Sequence, residues 1–462
     1  MFESLEKVLM PLAEAIGKNK YLIAIRDGFL VSTPLLIVGS FFLLIANFPI
    51  PQWTDWLATL SINGTPFTTF LTKPTAATFD IMAVFAVIGI GYSFGKQMKI
   101  NPIFGSAVSV LSWFLLMPYV VSGTPSELIN GFGQNVVLGH NVDVSLSGLP
   151  LGWIGAKGIF MGIICSFLSV HIYSFIEKKG WVIKMPAGVP PTVVQSFAAL
   201  IPAGIVISVF FLINILFALT PWGNAFDFIF SILQTPLLGL GGTLGAMVIA
   251  YIFLHLFWFF GVNGGSVVGA VYNPILQTLA AENLQAFKAG LPMPNIISQQ
   301  FQDLFATFGG SGSTLSLLIA MLLFCKSKRI KELGKLAFVP GIFGINEPII
   351  FGLPIVLNPT IIIPFVLVPL VNIVVSYFAM DFGIVPITNG IQIPWTTPVI
   401  ISGLLATNWV GALLQLGLLI LGVFIYMPFI KVMDKQYLVD EAKASEASDD
   451  DISFDDLSFD DL

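Results

Sequence analysis

Between Lys335 and Asp381 the chain carries one acidic or basic side chain, Glu347, inside an apolar run that opens Leu336-Ala-Phe-Val-Pro-Gly-Ile-Phe-Gly-Ile-Asn-Glu-Pro-Ile-Ile-Phe-Gly-Leu-Pro354. So long a stretch without charge belongs in a bilayer rather than in a soluble core. It cannot be one ordinary spanning helix. Pro340, Gly341, Gly344, Pro348, Gly352, Pro354 and Pro359 each remove a backbone donor or weaken the helix. Backbone broken at membrane depth persists only where it is packed in protein or lines a wet cavity. Glu347 must there be protonated, paired or hydrogen-bonded to something polar, and a bound substrate is one such partner. A kinked core helix whose Glu347 forms a structural ion pair is the competing reading.

The rest of the chain has the same character: apolar residues are 56% of 462 positions and charged ones 10%, so the long runs cannot all be soluble cores. The expected fold is all-α and polytopic, about ten spans with two re-entrant hairpins and interfacial amphipathic helices. The N-terminal residues 1–20 mix Glu and Lys, unlike a secretory signal peptide, and place Leu5, Val8, Leu9, Leu12 and Ile16 at helical spacing, which reads as an interfacial helix. Cys165 and Cys325 form no CxxC pair, so neither a disulfide framework nor a zinc site is indicated. No Walker A sequence is present, which argues against ATP hydrolysis by this chain. No metal, cofactor or nucleic-acid partner is implied.

Taken in order, spans are expected over 21–50, 80–95 and 102–121, then a polar glycine-rich segment over 122–156, a fourth span ending near 176 and a fifth over 191–220. Residues 221–235, with Trp222, Phe226, Phe228 and Phe230, read as an amphipathic connector. This divides the chain into a scaffold domain (1–220), the connector (221–235), a transport domain (236–435) whose segments are dense in Gly, Pro, Asn, Ser and Thr, and a tail (436–462). Basic clusters at Lys18/Lys20, Lys96/Lys99, Lys178/Lys179/Lys184, Lys326 to Lys335 and Lys431/Lys435 alternate with segments poor in Lys and Arg, which puts both termini in the cytoplasm. The formal charge of −6 owes most to the tail, which ends in two copies of Ser-Phe-Asp-Asp-Leu (453–457 and 458–462). So acidic a segment is expected to be disordered, either solubilising or a docking motif for a soluble partner.

Three further stretches carry candidate site residues. In Phe257-Trp-Phe-Phe-Gly-Val-Asn-Gly264, aromatics run into a Gly-Val-Asn-Gly break, and His255, Trp258 and Asn263 supply polar or amphipathic groups where no charge occurs between Asp227 and Glu282. Phe308-Gly-Gly-Ser-Gly312 offers backbone amides at Gly310 and Ser311, and 386–398 reads as a hairpin that presents Asn389, Trp395 and Thr396. Aromatic faces that stack on the C–H side of a sugar, with amides and a carboxylate for its hydroxyls, suit a neutral polyol. For His255 a satisfied helix-packing histidine is an equal reading, and a Gly-Ser loop is as often a plain turn.

Together with Ile25-Arg-Asp-Gly-Phe29, Gly344-Ile-Asn-Glu-Pro348 and Pro394-Trp-Thr-Thr-Pro398, these motifs resemble the lactose/cellobiose/chitobiose family of phosphotransferase-system sugar permeases, the EIIC components, over nearly the whole chain to about Lys435. The resemblance implies a homodimer in the bacterial cell membrane that binds a disaccharide such as cellobiose, with Glu347 as the catalytic residue beside Asn346, Asn263 also on the sugar, and Trp258 and Trp395 as aromatic partners. It also implies phosphorylation by the phosphocysteine of a separate EIIB fed by EIIA, HPr and EI. Asn263 stands where many members carry histidine; asparagine donates and accepts but is not protonated, so Glu347 would act alone or with His255. The runner-up is a proton-coupled secondary transporter with Glu347 as the titrating group, and a channel fits the broken helices less well.

Overall fold

A computed structural model describes residues 15, 18–48, 51–123, 144–186, 188–353, 355 and 358–450. Most of the expected N-terminal interfacial helix and both Ser-Phe-Asp-Asp-Leu repeats lie outside the described residues. The main helices are α1 (Lys20–Ala46), α2 (Phe67–Phe79), α3 (Met82–Gln97), α4 (Pro102–Leu116), α5 (Ile159–Lys178), α6 (Pro191–Ala218), α7 (Leu244–Phe259), α8 (Gly264–Lys288), α9 (Thr314–Phe324), α10 (Lys328–Ile342), α11 (Glu347–Gly352), α12 (Pro359–Asp381) and α13 (Trp409–Asp450). The protein is an all-α, multi-pass membrane protein. Among the described residues seven helical stretches are long and apolar enough to cross a bilayer, or eight if the interrupted pair Ala225–Gly241 and Leu244–Phe259 counts as one. The expectation of about ten is larger. α4, at 15 residues, is too short to qualify alone, and the Gly, Asn and Gln residues of α8 keep that helix less apolar.

Local chemistry explains several of the helix starts. Asn19 accepts from the N–H groups of Tyr21 and Leu22 to cap α1, and α4 and α12 each begin at an Asn-Pro pair whose asparagine accepts from the first free amides. Two short antiparallel hairpins are the only strands among the described residues: β1 (Ser61–Ile62) with β2 (Thr65–Pro66), and β3 (Val120–Gly123) with β4 (Val144–Ser147), paired from Val120↔Ser147 to Gly123↔Val144. The second hairpin overlaps the 122–156 segment that the sequence offered as polar and glycine-rich. α2 was not foreseen either, because Lys73 and Pro74 interrupt its hydropathy.

The chain forms two compact units, Met1–Met247 with Ser266–Gln300 and Thr388–Ile393, and Val248–Gly265 with Phe301–Ile387 and Pro394–Leu462. In the first, α3 packs against α1, α4 and α5, and α4 packs against α5 and α6. Small residues make these seams: a Cβ at Gly89 would fall 2.8 Å from the Cα of Gly28, and one at Gly91 2.8 Å from the carbonyl of Gly105. Close backbone approach of this kind is how helices associate where lipid removes the hydrophobic drive. The segment expected as an interfacial connector is folded into this unit. Phe226 is buried against Trp113 and Trp153, with ring centroids 6.1 and 5.3 Å away.

In the second unit α9 packs on α10 and α13, and α12 packs on α13. The region expected to be disordered from residue 436 is helical through Asp450. One of its acids, Glu441, and Asp434 just before it have partners. Asp434 accepts from the Lys326 and Ser327 amides at 3.0 and 2.8 Å, while Glu441 accepts from the Ser327 hydroxyl at 2.6 Å and the Arg329 amide at 3.0 Å. These carboxylates satisfy the free N–H groups and positive dipole end of α10, which outweighs the charge density that argued for disorder.

Candidate functional site

The site candidates in the second unit are built where helices stop. Before α9 the chain makes a π-helical turn over Gln302–Ala306 and then a loop in which Gly310 and Gly312 have φ of 92° and 81°. Only glycine adopts such angles without strain. Side chains hold this loop in place of helical hydrogen bonds. Asn372 donates from Nδ2 to the Ala306 carbonyl at 3.2 Å and to Ser313 Oγ at 2.9 Å, Thr314 Oγ1 donates to the Gly309 carbonyl at 2.6 Å, and the Tyr426 hydroxyl donates to the Gly312 carbonyl at 2.5 Å.

His255 belongs to the same scaffold. Its Nδ1 lies 2.7 Å from the Tyr251 carbonyl and must donate, so Nε2 accepts the Gly312 amide at 2.9 Å. The ring is fully buried with both nitrogens used, so His255 positions the loop and does not face a ligand in this conformation. The satisfied-histidine reading is the one the geometry favours.

The second broken stretch meets this loop. α10 ends at Ile342, Gly344 takes φ of 80°, and α11 begins at Glu347 directly after Asn346. Asn346 is buried and donates from Nδ2 to the Ser311 carbonyl at 2.9 Å. A Cβ at Gly310 would lie 2.8 Å from the Gly344 carbonyl, and one at Gly344 would lie 3.0 Å from the ring of Trp395. Thus Gly310, Ser311, Gly344, Asn346 and Trp395, from three separate sequence motifs, adjoin one another next to the first residue of α11, Glu347. Trp395 keeps 54% of its surface exposed, so a face remains for a ligand.

Trp258, near the end of α7, is nearly buried, and its indole N–H has no protein acceptor. Asn263 is exposed at the break between α7 and α8, after Gly261 with φ of 79°. Asn389 falls in the other unit. There its Oδ1 accepts from the Ile391 amide at 3.0 Å and from Gln300 Nε2 at 3.4 Å, while Asn283 Nδ2 donates to the Thr388 carbonyl at 3.1 Å. Its side chain therefore shapes its own turn.

Sequence reasoning missed Asn372, Tyr426 and Gln415. Gln415 Oε1 accepts from the Ile400 and Gly403 amides at 2.7 and 2.9 Å, and its Nε2 donates to the Leu304 carbonyl at 2.7 Å. Each is a polar group inside an apolar helix, which is the signal that would have found them. Cys325 and Cys165 are both buried, and burial pushes the Cys325 thiol up to about 12, far from the reactive range of an exposed thiolate.

The family model described as "Phosphotransferase system, EIIC" matches residues 26–369. The chain is 41% identical to the oligo-beta-mannoside-specific EIIC component of Bacillus subtilis (strain 168), spanning 96% of both chains. It is 40% identical to the cellobiose-specific EIIC component of Geobacillus stearothermophilus, spanning 95% of both. Among solved structures it superposes on the transporter ChbC, the IIC component of the N,N'-diacetylchitobiose-specific phosphotransferase system, with TM-score 0.89 and 40% identity over 95% of this chain and 99% of that one. The comparisons lend no support to a proton-coupled carrier. With the broken helices, the Asn346–Glu347 pair and a match over three quarters of its length, the chain belongs to the EIIC family of phosphotransferase-system membrane permeases.

Proposed function

We propose that the permease binds a disaccharide, of the kind for which its relatives are named, among Asn346, Glu347, Trp395, Trp258 and Asn263. The observation that carries this is the meeting of the Gly310–Ser311 loop, Asn346 and the half-exposed Trp395 around Gly344, immediately before Glu347. Amide and carboxylate groups take sugar hydroxyls, indole faces take its C–H side, and the unpartnered Trp258 N–H is a donor that a hydroxyl can accept. Glu347 orients the hydroxyl to be phosphorylated. That oxygen attacks the phosphorus of a phosphocysteine on EIIB; the O–P bond forms, the S–P bond breaks, the thiolate stays on EIIB and the hydroxyl proton passes to the Glu347 carboxylate.

The permease works as a homodimer in the bacterial plasma membrane with both termini cytoplasmic, and EIIB, charged through EIIA, HPr and EI, docks on that side. Residues 236–435 supply the moving transport domain. Right-side-out vesicles loaded with phosphoenolpyruvate and the soluble components test the reading. Disaccharide should accumulate as its phosphate only when EIIB is present; accumulation of unmodified sugar under an imposed pH gradient would overturn it.

A further inference from the structure

The function leaves one motif unused, the acidic repeat that follows α13. Residues 451–462, Asp-Ile-Ser-Phe-Asp-Asp-Leu-Ser-Phe-Asp-Asp-Leu, contain five aspartates, no lysine or arginine, and Phe454, Leu457, Phe459 and Leu462. Past the acidic last turns of α13 (444–450, with Glu446, Asp449 and Asp450), the earlier part of that helix and the start of α10 have the opposite pattern. Residues 326–335 and 431–443 hold eight basic and four acidic side chains, and two of those acids, Asp434 and Glu441, are occupied by the amides at the start of α10. Lys328, Lys335, Lys431, Lys435 and Lys443 are exposed. On α13, Val432 and Val439 are 48% and 52% exposed, and they share a face with Lys435, Gln436 and Lys443 at helical spacing. Apolar stripe and cations together match a segment that alternates Phe and Leu with aspartates.

Reach permits the match within one chain. From Asp450 back to Val432 is about 27 Å along a helix, whereas twelve residues of extended chain span up to about 40 Å. We propose that residues 451–462 turn back and dock on the basic, valine-bearing face of α13 and the adjoining start of α10 of the same chain. The aspartates pair with the exposed lysines, and the Phe and Leu side chains cover Val432 and Val439. The two repeats give two attachments on one short tether, so each raises the effective concentration of the other. The docked tail occupies surface that an anionic lipid or an acidic partner would otherwise take.

The test uses the full chain in phosphatidylcholine nanodiscs with spin labels at Gln436→Cys and Ser458→Cys, since Cys165 and Cys325 are buried. Labelled protein is diluted into unlabelled protein so that only distances within one chain are read. A short, narrow distance is expected at low salt, lost in molar salt as screening sets in. It should also be lost on Asp455→Asn/Asp456→Asn/Asp460→Asn/Asp461→Asn and on Phe454→Ser/Phe459→Ser. A broad, long distance that neither salt nor these changes alter overturns the proposal. So does a short distance that vanishes on dilution, which would assign the face to a second copy. A tail free in phosphatidylcholine, with Lys435 and Lys443 protected only by phosphatidylglycerol, would assign the face to lipid.

Discussion

The two compact units solve the same problem, polar backbone inside an apolar fold, in opposite ways. In the first, α1, α3, α4 and α5 run unbroken and meet through glycines and short side chains such as Ser93, which donates to Asp27, so the backbone satisfies itself and the seams are close. In the second, the helices stop at Ala306, Ile342 and Gly352, and side chains from distant helices replace the missing bonds: Asn372, Gln415, Tyr426 and His255. The lesson is that site and scaffold have different failure modes. A scaffold seam fails by losing packing, and a loop-built site fails by losing one hydrogen bond or one glycine.

The sharpest way to break that contrast is Gly312→Val. A side chain there meets the ring of Phe365 and must also take φ of 81°. Strain and overpacking together amount to about 2–6 kcal/mol. Disaccharide binding should be abolished while α1 to α5 keep their protection from hydrogen exchange. Gly89→Val, which drives a side chain into the Gly28 backbone, should instead lower the thermal midpoint of that unit first. Identical exchange patterns in the two variants would remove the distinction.

Next in size is Glu347→Gln, which keeps the shape and removes the charge. If Glu347 receives a sugar hydroxyl, affinity should fall by the roughly 1.5–3 kcal/mol of a charge-assisted hydrogen bond, about ten- to a hundredfold. Phosphorylation in vesicles should fall further, because the proton acceptor is lost as well. Unchanged binding by calorimetry would remove Glu347 from the site.

Much of this was legible in the sequence. Hydropathy and the scarcity of charge marked the all-α membrane class, and the prolines and glycines around Glu347 marked a break that the backbone makes between Ile342 and Glu347. Two things were not legible, for physical reasons. α2 is interrupted by Lys73 and Pro74, so its hydropathy falls below that of its neighbours although the helix continues through them. The supports Asn372 and Gln415 stand out as polar residues in apolar helices, but what they support does not, because their partners lie 66 and 111 positions away, a pairing that only the fold creates. The Asn389 side chain likewise meets Gln300, 89 residues distant, a pairing the sequence does not display.

His255 separates support from contact. His255→Ala leaves the buried Gly312 amide without an acceptor, a cost of about 1–3 kcal/mol, whereas His255→Gln restores one. If His255 acts by holding the loop, the alanine variant should lose binding and the glutamine variant should recover most of it, with the same pH profile of uptake as the parent. A direct sugar contact or proton relay through the imidazole predicts no recovery with glutamine and a shifted profile.

The smallest expected effect tests whether exposure within the broken region differs in kind from exposure elsewhere. Trp395 and Trp409 are similarly exposed, at 54% and 65%, and both lie in the second unit. Trp395 packs beside Gly344, two residues from Asn346, while Trp409 begins α13. A stacking aromatic contributes about 0.5–1.5 kcal/mol beyond its area. Trp395→Ala should therefore weaken disaccharide binding roughly two- to tenfold, and Trp409→Ala should leave it unchanged. Because Trp395 also supports Gly344, Trp395→Phe supplies the control: a ring that keeps the support and a stacking face should retain most of the affinity. If Trp395→Ala and Trp409→Ala bind alike, exposure beside the Glu347 break confers nothing, and the sugar must rest on Trp258 and the polar groups alone.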